Sequence, residues 1–455
     1  MGDNSEQSKE KTSGRLEDKF ANIVSPFQSF MRDQATASVF LIFCTFFALF
    51  IANSNLSAGY NHWLEARFGL VFDDWSLQKS IHHWINEGLM SIFFFILGLE
   101  IKREILAGDL KTRDRAIPVM AAATGGMLFP AIIYLAFNYD MISQHGWGIP
   151  MATDTAFAVG ILALLSKHIP RSLTAFLAAL AIIDDIGAII VIAFVYTESI
   201  NVAALLIAAG LLALLVLSNI LGIRRPSLYI LIGSVVWYAM LQSGVHATIA
   251  GILVAFTVPA RPQKGKKWFL SRVHEYLKQL EYIEKQKTDS SPILAEGEQH
   301  AVIESVEETA RKTTTPLQRW ESGLEHPVAL FVLPIFALAN AGVAFNTQTF
   351  SSMFDKPLSI GIILALLVGK GIGIPLLGGL ALKTGLGTLP PGMTVRHLIG
   401  IGLLGGVGFT MSLFIAGLSF SAIPALHVTA KSSILFASIM AGIVGYIWLR
   451  FYSTT

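Results

Sequence analysis

Residues 180–190, LAIIDDIGAII, place two aspartates, Asp184 and Asp185, side by side in an otherwise apolar run. Two more ionisable groups lie as deep in apolar sequence: Asp154 in WGIPMATDTAFAVG and Lys370 in LVGKGIGI. Glu87 and Glu100 stand nearer the ends of such a stretch, and His246 begins another. A charge at the centre of a membrane helix costs about 2.5–3.5 kcal/mol on insertion scales, so four would oppose insertion by roughly 10 kcal/mol if unpaired. A structural ion pair would account for one aspartate with Lys370 and leave two carboxylates over. What remains is a watery cavity, mutual pairing or a change of protonation state, and these are properties of an ion or proton pathway.

The elements that must hold these groups are membrane helices. Of the 455 residues, 53% are hydrophobic and 14% charged, against roughly 25% charged in a soluble domain. Apolar stretches long enough to span a bilayer recur along the chain. Spans are expected at 36–53, 87–105, 116–138, 149–166, 172–197, 201–222, 226–242, 244–260, 327–345, 358–382, 394–419 and 428–449, which makes twelve. An even number puts both termini on one side. The tails and alternate loops of that side hold 28 of the 33 Lys and Arg, so both termini are expected in the cytoplasm. The same topology explains the basic residues without a nucleic-acid partner. The single cysteine, Cys44, lies in an apolar run, which excludes a disulfide framework and assigns it to packing. Residues 1–35 are polar and mixed in charge, unlike a cleaved signal peptide, so the first span is expected to be a retained anchor.

The chain therefore divides into a cytoplasmic tail (1–35), eight membrane helices (36–260), a polar insert (261–326), four more helices (327–449) and a cytoplasmic C-terminus (450–455). The outer loop at 53–86 contains FGLVFDDWSL, a pattern for a short β-hairpin on the membrane surface. The insert carries eleven basic residues, and Phe269, Val273, Tyr276, Leu277, Leu280 and Ile283 recur in it at helical spacing. An amphipathic cytoplasmic helix is expected there. No catalytic motif stands in it: His274–Glu275 lacks the second histidine of a zinc helix.

Two spans carry signs of interruption. WGIPMATDTAFAVG has Pro150 and a polar Thr153-Asp154-Thr155 step in mid-span. Proline removes a backbone donor, and threonine can return side-chain hydrogen bonds. IGIGLLGGVGFTMSLF (399–414) has five glycines, of which Gly405, Gly406 and Gly408 would let the backbone unwind. Paired interruptions in corresponding halves point to a transporter's ion site. Broken helices expose partial positive charge at half-helix N-termini and partial negative charge at C-termini. Asp154 would offset the first and Lys370 the second.

ATDTAFA (152–158), LAIIDDIGAII (180–190), GLEIKREI (98–105), GVHATIAGI (244–252), HPVALFVLPIFALANAGV (326–343) and LVGKGIGI (367–374) resemble the signature segments of bacterial NhaA-type sodium/proton antiporters, in the same order. That family is itself among the cases behind the rule of paired interruptions. The resemblance covers about 36–260 and 326–450. It implies an all-α integral membrane protein of the bacterial inner membrane, with twelve transmembrane helices, inverted repeats and two interrupted helices crossing near the midplane. It also implies a homodimer formed partly through the outer loop 53–86. The function implied is electrogenic exchange of cytoplasmic Na+ or Li+ for external H+, activated at alkaline pH, with no cofactor beyond the transported ions. By position, Asp184 and Asp185 match the cation and proton site and Thr153 an additional ligand. Asp154 and Lys370 match the charges at the helix crossing, Lys370 also as a candidate proton carrier. Glu100, Glu104, His246 and His326 match positions tied to pH response. The polar insert has no clean counterpart in the family, so no regulatory acid is carried onto Glu321 or Glu325.

The residue types suit that exchange. Sodium is a hard cation that prefers oxygen ligands, by the logic that governs calcium and magnesium. Adjacent helical residues point about 100° apart, so Asp184 and Asp185 do not face each other as a protease dyad does. One can hold the ion while the other pairs elsewhere, with Lys370 the obvious partner. A carboxylate that binds sodium also binds protons, and competition at one site exposed alternately to each side is exchange. Two rival readings are an intramembrane aspartyl protease, which leaves Lys370 unexplained, and a sodium-coupled solute symporter of related broken-helix architecture. The symporter needs an organic-solute site, and no polar cluster beyond the ion ligands offers one.

Overall fold

Uncharged runs of Leu, Ile, Val, Phe and Ala can satisfy their backbone groups away from water only as helices or closed barrels, and here they are helices. The computed structural model describes residues 34–73, 75–108, 112–197, 200–285, 297–344 and 353–452. The expected tail up to residue 33, Asp74 of the outer loop and residues 453–455 of the C-terminus lie outside them. The chain begins with α1 (Gln34–Ala52) and α2 (Ser57–Glu65), which turns away from α1 by 110°. A two-stranded antiparallel hairpin follows, β1 (Arg67–Phe72) with β2 (Trp75–Ser80), in the register Arg67↔Ser80 to Phe72↔Trp75. Helical turns Ile81–His83 and Trp84–Leu89 then lead into α3 (Met90–Ala107).

Next come α4 (Arg113–Asn138), α5 (Ile142–Met151, tightly wound as a 3₁₀ helix), α6 (Thr155–Leu164) and α7 (Arg171–Val195). They are followed by α8 (Val202–Ile220), α9 (Pro226–Ser243) and α10 (Thr248–Thr257). Two amphipathic helices, α11 (Lys266–Lys285) and α12 (Gly297–Thr313), fill the polar insert. Its two ends are zipped together: Gln263 N and Lys264 N both donate to Lys312 O, and Leu317 N donates to Pro259 O. The chain closes with α13 (Pro316–Asn340), α14 (Pro357–Lys383), α15 (Val395–Gly405), α16 (Phe409–Ser419) and α17 (Pro424–Phe451).

Among the described residues, six helices are long and apolar enough to cross a bilayer: α4, α7, α8, α13, α14 and α17. Three bent pairs pass the same test together, α1 with α2, α5 with α6 (42°) and α15 with α16 (43°). Large apolar side chains face outward, among them Phe43, Phe50, Phe194, Leu206 and Ile220, a surface that belongs in lipid rather than water. The fold is that of an all-helical multi-pass membrane protein.

Several boundaries differ from the sequence expectation: α5 begins at Ile142, seven residues before the expected span at 149–166, and three others have local causes. The span expected at 244–260 is helical only over Thr248–Thr257, about 15 Å at 1.5 Å per residue. Gly244, at φ +81°, ends α9 in the left-handed conformation, so His246 lies in the turn before α10 and does not begin it. Helix α13 starts at Pro316, ten residues inside the expected insert, because Thr315 caps it by accepting from Gln318 N and Pro316 takes the first helical position. It continues through Pro327 by way of a wide turn at Val328–Val332, which absorbs the missing donor. Helix α17 begins at Pro424, with proline at its first position.

Helices α4 and α14 pack closely against each other. A Cβ on Gly125 would collide with Gly373 O, and one on Gly373 with Gly125 O. Glycine at both positions brings the two backbones into contact and sets Lys370 of α14 beside Gly126.

Candidate functional site

The breaks α5/α6 and α15/α16 lie against each other. Asp154 N donates to Val407 O at 2.7 Å, and Ser412 Oγ of α16 donates to Ile149 O of α5 at 2.7 Å. Residues 152–154 are extended because the Asp154 side chain replaces the missing helical turn. Its Oδ1 accepts from Phe157 N at 3.1 Å as the N-cap of α6. Its Oδ2 accepts from Thr410 N at 2.8 Å and Thr410 Oγ1 at 2.6 Å, at the start of α16. One carboxylate thus closes the positive ends of two half-helices, and three donors satisfy it.

The negative end of α5 meets the cation. Lys370 Nζ donates to Met151 O at 2.5 Å, to Thr153 Oγ1 at 2.7 Å and to Asp184 Oδ2 at 2.7 Å. Lys370 and Asp184 are both fully buried. Thr153 Oγ1 also donates to Asp184 Oδ2 at 2.7 Å, and Gly405 O lies 3.2 Å from the same hydroxyl. All three ammonium protons of Lys370 are therefore used, which a lysine in a low-dielectric interior requires.

Asp185 makes no hydrogen bond with a described residue. Asp184 Oδ1 and Asp185 Oδ1 are buried without a hydrogen-bond partner among the described residues. They belong to neighbouring residues of α7, and Asp185 is 2% exposed. Buried oxygens of this kind are nearly always bonded. Hard acceptors with no protein donor, next to the hydroxyl of Thr153, are the ligand set that a bare alkali cation or a proton can use.

The pH-response candidates divide. Glu100 is half-buried on α3, close enough to Asp185 for their charges to interact. Glu104 follows one turn on, and Arg103 joins it at 2.8 Å and Glu321 of α13 at 2.6 Å. Lys102 is engaged elsewhere, donating to Phe256 O and Val258 O at the C-terminal end of α10. His246 lies apart from this group, with Nε2 2.9 Å from Tyr196 O and Nδ1 3.8 Å from Glu87 Oε1. His326 is exposed on α13. Cys44 is buried in α1. Sequence reasoning did not single out Thr410, Ser412 or the Met151 carbonyl. The signal for Thr410 was present, a hydroxyl directly after the glycine run at 405–408.

A profile of the family described as Na+/H+ antiporter 1 matches residues 28–449. The chain is 48% identical over 429 residues to Na(+)/H(+) antiporter NhaA 2 of Psychromonas ingrahamii, covering 94% of this chain and 90% of the relative. It is 45% identical over 445 residues to Na(+)/H(+) antiporter NhaA 1 of Shewanella denitrificans, covering 98% of each. It is 42% identical over 436 residues to Na(+)/H(+) antiporter NhaA 1 of Saccharophagus degradans, covering 96% of this chain and 93% of the relative.

Proposed function

The chain belongs to the Na+/H+ antiporter 1 family, and from that membership we propose that it exchanges cytoplasmic Na+ or Li+ for external H+ in the bacterial inner membrane. The observation that carries the reading is the split between the two aspartates. Asp184 is held by Lys370 and Thr153, while Asp185 Oδ1 beside it is buried with no partner among the described residues. A cation arriving at Asp185 and Asp184 Oδ1 competes with Lys370 for Asp184 and with protons for both carboxylates. Asp185 and Asp184 are the cation and proton ligands, with Thr153 a further oxygen. Asp154 and Lys370 neutralise the half-helix ends, and Lys370, released when sodium takes Asp184, is a candidate proton carrier. Exchange of unequal charge is electrogenic, and removal of protons from the site at alkaline pH activates it, as sodium and pH homeostasis require.

The finer architecture belongs to the same proposal: twelve transmembrane helices in inverted repeats, the two interrupted helices crossing near the midplane, and both termini cytoplasmic. The polar segment 261–326 is then cytoplasmic and the hairpin β1–β2 external. Phe68 and Val71 of β1 are 71% and 59% exposed, and the outer edges of the two strands lack further strand partners among the described residues. Both features support a homodimer through 53–86. Glu104, joined by Arg103 to Glu321, and Glu100, whose charge acts on Asp185, are the stronger pH-response candidates, because the Arg103 salt bridges link α3 to α13 there. His246 and His326 are retained as separate ones. The test is the transient current of proteoliposomes on a sodium step, with and without an imposed pH gradient. A sodium-dependent current that reverses with the pH gradient is expected. Sodium flux indifferent to pH but dependent on an organic solute would replace exchange by symport.

A further inference from the structure

Outside the aspartate–lysine site, another set of ionisable side chains is withdrawn from solvent, near the start of α17. Lys431 is 9% exposed and has no hydrogen bond or ion pair with any described residue. His427, one helical turn before it, has a buried Nε2 without a partner. His82, in the turn that enters α3, lies near them with both ring nitrogens engaged, Nε2 3.2 Å from Asn340 Oδ1 of α13 and Nδ1 3.3 Å from Asn86 Nδ2. The charges acting on His427 are those of Lys431 and His82, and those acting on His82 are Lys431 and His83. None is a carboxylate. Lys370, by contrast, has Asp184 against it, and Arg103 has Glu104 and Glu321. A buried ammonium without a counter-charge is strongly disfavoured.

Helix α16 passes beside this set at Gly417. A Cβ built on Gly417 meets a single atom within 4 Å, His427 Nε2 at 3.9 Å. The space above the glycine is thus open and faces the unpartnered nitrogen. One ammonium and one unpartnered imidazole nitrogen call for a single negative charge that carries no proton of its own.

We propose that Lys431 and His427, at the open face of Gly417, form a binding site for a small monovalent inorganic anion of the chloride class. The anion supplies the counter-charge and ties α16 to α17. Gly417 lies two turns along α16 from Thr410, which holds Asp154, so occupancy steadies the half-helix that meets the aspartate site.

The experiment compares full-length protein in detergent in choline chloride and choline gluconate, at equal ionic strength and fixed pH. Melting temperature and the linewidth of the chloride NMR signal are read in each. Wild type is expected to melt higher in chloride, with a saturable dose response, and to broaden the chloride line. Lys431→Met and His427→Leu keep bulk but remove charge or donor, and should weaken chloride at least about tenfold, the scale of one charged hydrogen bond. Gly417→Leu leaves every charge in place and fills the space, and should abolish both responses. Equal melting in the two salts with no line broadening in wild type overturns the site. So does a chloride response retained in Lys431→Met or in Gly417→Leu. Neither readout involves sodium exchange, so failure here leaves the exchange reading standing.

Discussion

Replacing Lys370 by alanine removes one partner of an ion pair whose members are both 0% exposed and 2.7 Å apart. It also strips Met151 O and Thr153 Oγ1 of their ammonium donor. Breaking a buried pair from one side costs about 3–5 kcal/mol, because the remaining charge stays uncompensated. A carbonyl left without its donor adds about 1–3 kcal/mol. Replacing both partners by neutral groups, Lys370→Ala with Asp184→Asn, removes the uncompensated charge and should be far milder than the sum of the two single changes. The two changes are therefore expected to be non-additive by several kcal/mol, on the scale of about 3 kcal/mol that contacting residues reach. The assay is thermal unfolding of the four proteins in one detergent, followed by loss of monodispersity. Lys370→Ala should lower the midpoint by roughly 5 °C or more, and the double variant should recover most of the loss. The deficit of Lys370→Ala should also shrink in acid, where protonation of Asp184 removes the stranded charge. An unchanged midpoint in Lys370→Ala, or strict additivity in the double variant, would refute the pairing as the source of stability.

Asp185→Asn keeps size but loses the ionisable ligand, so it should abolish sodium-dependent proton movement in a protein that still inserts and folds; full transport at normal sodium affinity would sink the assignment. Asp184→Asn should stop normal exchange too, and residual transport there would mean that Asp185 alone carries the cation. Asp154→Ala strips the shared cap from α6 and α16 and should destabilise by about 2 kcal/mol or more, the upper range of a cap, read as a lowered melting midpoint; Asp154→Asn, which keeps an acceptor oxygen, should lose less. Transport rate against sodium from about pH 6 to 9 separates two forms of control: simple competition gives one maximal rate with a half-saturation rising tenfold per pH unit below the site's pKa for each proton displaced. A maximal rate that collapses in acid at every sodium concentration instead requires a separate sensor, and Glu321→Gln, which uncouples Arg103 from α13, should then shift that collapse without changing half-saturation. Lys370→Arg keeps charge but cannot release a proton at these pH values, so electrogenic exchange by that variant would exclude Lys370 as an obligatory carrier.

The membrane character, most helix positions and the four deep charges were legible in the sequence, because water-to-lipid transfer penalises each charge independently of what surrounds it. Asp154, Asp184, Asp185 and Lys370 stood out for that reason alone, and the glycine run and Pro150 marked places where a helix could not be expected to continue. What the chain did not disclose is which oxygen meets which donor. That depends on Gly125 and Gly373 letting α4 and α14 touch, and on two breaks far apart in sequence meeting so that Thr410 reaches Asp154. Boundaries in amphipathic stretches were hidden as well: the first turns of α13 look polar until Glu321 finds Arg103, and His246 belongs to a turn because Gly244 ends α9 first. Composition and spacing register the cost of placing a charge in an apolar segment. The partner that offsets the cost lies up to 256 residues away, and only the packing of the helices decides which one it is.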